Sequence, residues 1–110
     1  DWGIKDLTTQ QLISILSCHS LMKDNDPAFA HSFIKEISLR KPAESCDGVQ
    51  LFMLAKLYYN YSKIYEDAFL EIHTACVKKY STIPPEYRQT LKEVFSLRKD
   101  IIVDSPFFNI

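Results

Sequence analysis

Glycine is scarce in this chain, with 2 among 110 residues, and tight β-turns draw on glycine for their positive-φ positions. A fold of many short hairpins is therefore disfavoured. Long apolar runs are missing as well. Stretches such as Leu51 to Leu54 fall far short of the roughly 20 residues a membrane-spanning helix requires, so no membrane insertion is expected. Neither sign of charge is in excess, the net being -1 with a pI near 6.3. Bulk attraction to nucleic acid is excluded on that balance, and any RNA contact has to come from a local patch. Three cysteines, Cys18, Cys46 and Cys76, are an odd number without disulfide-framework spacing, which favours a reducing compartment and buried thiols. The opening Asp1-Trp2-Gly3 carries no Met, basic region or apolar signal core, so any targeting peptide has been removed or lies outside these residues.

What is present is helical periodicity that recurs. Leu12, Leu51 and Leu91 stand 39 and 40 residues apart, and the same steps link Ile15, Leu54 and Val94, then Cys18, Leu57 and Leu97. Asp26-Pro27-Ala28-Phe29 matches Glu66-Asp67-Ala68-Phe69 at 40 residues, Phe69 leads to Phe108 at 39, and Ile37 to Val77 at 40. A repeat of this length built from two helices is the signature of stacked helical arrays. The expected fold is all-α, an α-solenoid of about two and a half helix–turn–helix repeats. Their bounds fall near residues 7–44, 45–83 and a partial 84–110.

Capping chemistry places the helices independently. Thr8 with Gln11 three residues on reads as a capping box, and Leu7 against Leu12 as its hydrophobic staple. Asp26-Pro27 is an N-cap followed by proline at the first helical position, and the helix it opens runs to about Arg40. Phe29, Phe33 and Ile37 form its apolar stripe. Lys41 to Ser45 breaks the pattern. The next helix, with Val49, Leu51, Phe52, Leu54, Ala55, Leu57 and Tyr58, is apolar on so much of its surface that it wants neighbours on more than one side.

A partner helix from about Tyr65 to Tyr80 puts Phe69, Ile72, His73 and Cys76 on one face, and Pro84-Pro85-Glu86 opens a third unit. Asp104-Ser105-Pro106 announces one more helix just before Ile110, so the array is expected to continue into neighbours.

These features resemble the helical-repeat proteins of organellar RNA metabolism, the octotricopeptide and heptatricopeptide class with the related FAST-kinase-like repeats. The resemblance rests on Leu7-Thr8 to Leu12, on Ala55-Lys56-Leu57-Tyr58-Tyr59 closing the first helix of a unit, and on Asp26 to Phe29 opening the second. The unit is slightly longer than that class usually has, and the third copy reads Phe95-Ser96-Leu97, so tricopeptide-like or HEAT-like pairing stays open. The resemblance implies a soluble mitochondrial or plastid protein that binds RNA along a solenoid surface, as a processing factor or ribosome-associated subunit.

Candidate chemistry is sparse. Cys18-His19, Cys46 and His73 with Cys76 lack the paired ligand spacing of structural zinc, so no metal or other cofactor is expected. An enzyme would need a pocket collecting His73, Cys76 and a carboxylate such as Glu71 or Asp67, and no glycine-rich oxyanion loop accompanies them. A non-catalytic module is expected instead. Basic residues cluster late, and Lys78, Lys79, Arg88, Lys92, Arg98 and Lys99 form the candidate RNA-binding strip. Helix C-termini attract such residues for their own dipoles too. Tyr58, Tyr59 and Tyr61, with Tyr65 and Tyr80, could stack on unpaired bases or equally pack a core. The rival function is a scaffold that binds other protein subunits of a large assembly and touches no RNA.

Overall fold

A computed structural model describes residues 3–20 and 27–109. Among these residues every regular element is helical and no strand occurs. Six α-helices follow in order: α1 (Thr9–Ser20), α2 (Pro27–Leu39), α3 (Pro42–Ser45), α4 (Gly48–Tyr59), α5 (Glu66–Lys78) and α6 (Pro85–Ser96). Short 3-10 turns cover Ile4–Asp6, Tyr80–Thr82 and Pro106–Asn109.

The helix starts follow from local hydrogen bonding. Gln11 N–H donates to the Thr8 hydroxyl at 3.1 Å while Thr8 N–H donates back to Gln11 Oε1 at 2.8 Å, the capping box read from the sequence. An equivalent box at Asp47 and Gln50 opens α4, with Gln50 N–H on Asp47 Oδ1 at 2.8 Å. Proline fills the first helical position of α2, α3 and α6, where no N–H is required. The expected Asp26 cap lies outside the described residues. The expected second helix of a third unit takes a shorter form, the 3-10 turn at Pro106–Asn109. Its backbone is tied by Ser105, whose hydroxyl accepts from Phe107 N–H at 3.3 Å.

Helix α4 is the centre of the molecule. It packs against α1 on one side, α6 on the other and α5 behind, while α2 packs on α1 and the C-terminal 3-10 turn packs on α6. Three-sided contact explains why α4 is apolar nearly all round: Leu51, Leu54, Ala55, Leu57 and Tyr58 are all buried. Phe52 stacks on Tyr87 of α6 with ring centroids 4.2 Å apart.

The flanking helices bury only their inward faces, and this divides the repeat columns. Leu12, Leu51 and Leu91 are all fully buried. In the third column Leu57 is buried, but Cys18 is exposed and Leu97 is 62% exposed. The expectation that Cys18 sits in the core by analogy with Leu57 is corrected accordingly. A position that faces a neighbour in the central helix faces water in a flanking one.

One arginine ties distant segments near the N-terminus. Arg40, just past α2, reaches Glu36 Oε2 at 2.9 Å, the Thr9 hydroxyl at 3.3 Å and the Ile4 carbonyl at 3.3 Å, anchoring the N-terminal turn. Gly48 lets the start of α4 approach the turn before α6 closely, since a Cβ there would meet the Thr82 carbonyl oxygen at 2.8 Å.

Candidate nucleic-acid interface

The late cations lie around α6 and the two turns beside it. Arg88 projects from the first turns of α6 back over the end of the preceding segment. Its Nε donates to the Tyr80 carbonyl at 3.2 Å and its Nη2 to the Ser81 carbonyl at 3.3 Å. The guanidinium thereby rests 4.7 Å from the centre of the Tyr80 ring, a cation–π arrangement with the ring half-exposed. Lys92 follows one turn on. Beyond α6, Lys99 Nζ stands 5.1 Å from the Phe108 ring centre.

These two cation–aromatic pairs are joined through the core. Tyr80 and Phe107 have ring centroids 5.0 Å apart, and Phe107 in turn contacts Phe95 and His73. Phe107 is fully buried while its neighbour Phe108 is half-exposed, so packing one phenylalanine presents the next to the surface. The arrangement sets two half-exposed aromatic rings beside positive charge, residue types of the kind used to contact single-stranded nucleic acid. Glu86 and Glu93 are exposed on the same helix.

The sequence-predicted residues divide into those that reach this surface and those that do not. Lys78 and Lys99 are exposed, Arg88 and Lys92 half-exposed. Lys79 turns inward, its Nζ donating to the Cys46 carbonyl. Arg98 is buried and committed inside the protein. It donates to the Ser62 hydroxyl at 2.7 Å, to Glu66 at 3.3 Å and to both oxygens of Asp100 at 3.0 and 2.9 Å. Its guanidinium holds the Asp100 carboxyl below the usual carboxylate range.

Tyr58 and Tyr61 are buried, where no base can reach their faces, and Tyr61 shares a hydrogen bond with His19 at 3.4 Å. Tyr59 is half-buried against Phe69. Among the tyrosines considered for stacking, Tyr80 pairs with a cation of the strip. Phe108 was not legible as its counterpart, because Lys99 and Phe108 are nine residues apart and share no helical period.

Of the residues an enzyme would use, His73 and Cys76 are buried one turn apart on α5. His73 Nε2 lies 2.8 Å from the Ser105 hydroxyl, and burial lowers its pKa. The Cys76 thiol points to the Leu51 carbonyl at 3.8 Å, and burial pushes its pKa up to about 12, far from a reactive thiolate. Glu71 and Asp67 are exposed on the outer side of α5. Among the described residues no group of three or more metal-capable side chains converges, and no helix is long and apolar enough to cross a membrane.

Comparison with known proteins adds no relative: no family model, no curated protein and no solved structure matches the chain.

Proposed function

We propose that this chain is a non-catalytic helical-repeat module of an organellar RNA-binding protein. It contacts single-stranded or loop RNA through Lys78, Arg88, Lys92 and Lys99 with Tyr80 and Phe108. The observation that carries the reading is the pair of cation–aromatic contacts, Arg88 on Tyr80 and Lys99 on Phe108, linked by the Tyr80–Phe107 contact. The order in which α1, α4 and α6 pack, each with its following segment beside it, supports the solenoid arrangement that such modules use. The resemblance of Leu7 to Leu12 and Ala55 to Tyr59 to organellar repeat proteins supports a mitochondrial setting and a place on or near a ribosome. Binding of a fluorescent single-stranded RNA at low salt tests it. The expected result is saturable binding that Arg88→Glu with Lys99→Glu weakens at least tenfold, and the opposing result is no binding or an unchanged affinity.

A second reading, a scaffold that binds protein subunits, is favoured by a separate observation. A furrow between α2 and α5 is lined by charges of both signs beside apolar residues.

A further inference from the structure

Serine and threonine hydroxyls in this fold differ in how free they are to react. Ser45, Thr74, Thr82, Thr90 and Ser96 each donate to a backbone carbonyl three or four residues earlier. Ser62 and Ser105 are buried. Ser14, Ser17, Ser32 and Ser38 lie inside α1 and α2, where the helical backbone cannot extend into an enzyme's cleft. Ser81 differs from all of these. It is exposed on the 3-10 turn Tyr80–Thr82, and no hydrogen bond engages its hydroxyl among the described residues. A short surface turn opens locally at less cost than the interior of a helix.

Its surroundings are positive. Lys78, three residues before it, is exposed, whereas Lys79 is turned inward onto the Cys46 carbonyl. From α6, Arg88 donates to the carbonyl of Ser81 itself at 3.3 Å and to that of Tyr80 at 3.2 Å, which leaves further N–H donors of the guanidinium over.

We propose that Ser81 is a phosphorylation site for a serine kinase that selects basic residues upstream of its target, and that the phosphate it receives pairs with Arg88 and closes the RNA surface. The site stands on its own, while the effect on RNA rests on the RNA-binding reading. In the reaction the Ser81 oxygen bonds to the γ-phosphorus of ATP, the bond from that phosphorus to the β–γ bridging oxygen breaks, ADP leaves with that oxygen, and the hydroxyl proton is released. Kinases sort substrates by charge pattern, and the exposed Lys78 ammonium supplies the charge that a carboxylate-lined cleft selects. The product carries about -1.5 to -2 charges and three acceptor oxygens. Placed on a residue whose carbonyl already touches the guanidinium, it forms a charge-assisted bond to Arg88. It also cancels positive charge that RNA phosphates would otherwise meet.

The folded protein is treated with ATP, magnesium and the catalytic subunit of a cyclic-AMP-dependent protein kinase, which selects upstream basic residues. One phosphate per chain is expected, mapped to Ser81 by fragmentation mass spectrometry, with Ser81→Ala unlabelled and Lys78→Glu labelled at least tenfold more slowly. Circular dichroism of both variants checks that these exposed substitutions leave the fold intact. No labelling, labelling at another residue, or a rate indifferent to Lys78 would overturn the site. Phosphorus NMR reads the pairing: the second pKa of the phosphate should fall below its ordinary value of about 6 and return to it in Arg88→Gln. Equal values in the two proteins would overturn the contact. RNA affinity of the phosphorylated protein should drop at least tenfold, and an unchanged affinity would overturn the closure. No RNA binding before phosphorylation would overturn the RNA reading and the closure together, the site itself being decided by the labelling.

Discussion

His73 Nε2 and the Ser105 hydroxyl meet at 2.8 Å across 32 residues of sequence, and this contact fastens the C-terminal turn to α5. Around it His73 also meets Phe95 edge-on, with centroids 4.7 Å apart, and Phe107 at 6.5 Å. The aromatic cluster that supports the proposed RNA surface is thus built on a buried, neutral imidazole.

That imidazole makes stability depend on pH in a defined window. Burial lowers the folded-state pKa of His73 below its ordinary 6.5, so the unfolded chain takes up the proton first as pH falls. The contribution is fully present above pH 6.5 and declines below it, by at most about 1.4 kcal/mol per pH unit. Denaturant titrations between pH 7.5 and pH 5 should show the decline, and His73→Gln should flatten it. Carboxylates titrate below most of this interval, so an undiminished slope in the variant would contradict the assignment.

Gly48→Ala should destabilise the fold although alanine is the better helix former. The added Cβ meets backbone atoms, the Thr82 carbonyl oxygen at 2.8 Å and carbon at 3.0 Å, and backbone yields less readily than a side chain. Overpacking of this kind costs about 1–3 kcal/mol, equivalent to several degrees of Tm in a domain of this size. Thermal unfolding followed by circular dichroism reads the difference.

Tyr58→Phe should leave stability unchanged or raise it. The Tyr58 side chain is 2% exposed and its hydroxyl has no hydrogen-bond partner among the described residues. Burial first, and the charge of Glu71 second, push its pKa far above the ordinary range. Removing an unsatisfied buried hydroxyl while keeping the ring relieves a desolvation cost of about 1–3 kcal/mol. A marked loss of stability would reveal a partner for the hydroxyl.

Arg98 and Lys99 are adjacent but should behave oppositely. Arg98→Met removes the link among Ser62, Glu66 and Asp100 and should lower stability while leaving RNA affinity unchanged. Lys99→Glu, at an exposed position over Phe108, should do the reverse. Melting temperatures and RNA affinities measured on both variants separate the two roles.

Legibility from sequence followed the range of the interactions. The Thr8–Gln11 box, the proline starts and the buried Leu12, Leu51 and Leu91 all express i to i+3 chemistry or helical period, and each was readable. The Asp47–Gln50 box that opens α4 went unread, because Gly48 directly behind the cap is a poor helix former whose close approach only the tertiary contact with Thr82 reveals. The fate of each cation was less accessible. Arg98 and Lys99 are neighbours of the same charge, and Ser62 and Glu66, 36 and 32 residues away, join Asp100 in holding Arg98. The tyrosines behaved likewise: Tyr58 and Tyr61 belong to the helix and turn that other segments cover, whereas Tyr80 lies on a turn at the edge.

The central claim is tested most directly by the salt dependence of RNA affinity. Fluorescence anisotropy with a single-stranded RNA, from about 50 to about 200 mM salt, should give a log–log slope near -3, as four phosphate contacts at roughly 0.7 each require. In the variant carrying Arg88→Glu, Lys92→Glu and Lys99→Glu, which keeps Lys78, the slope should shrink to about -0.7 and low-salt affinity should fall at least tenfold. No binding at the lowest salt, or the same slope and affinity in both proteins, would contradict the account.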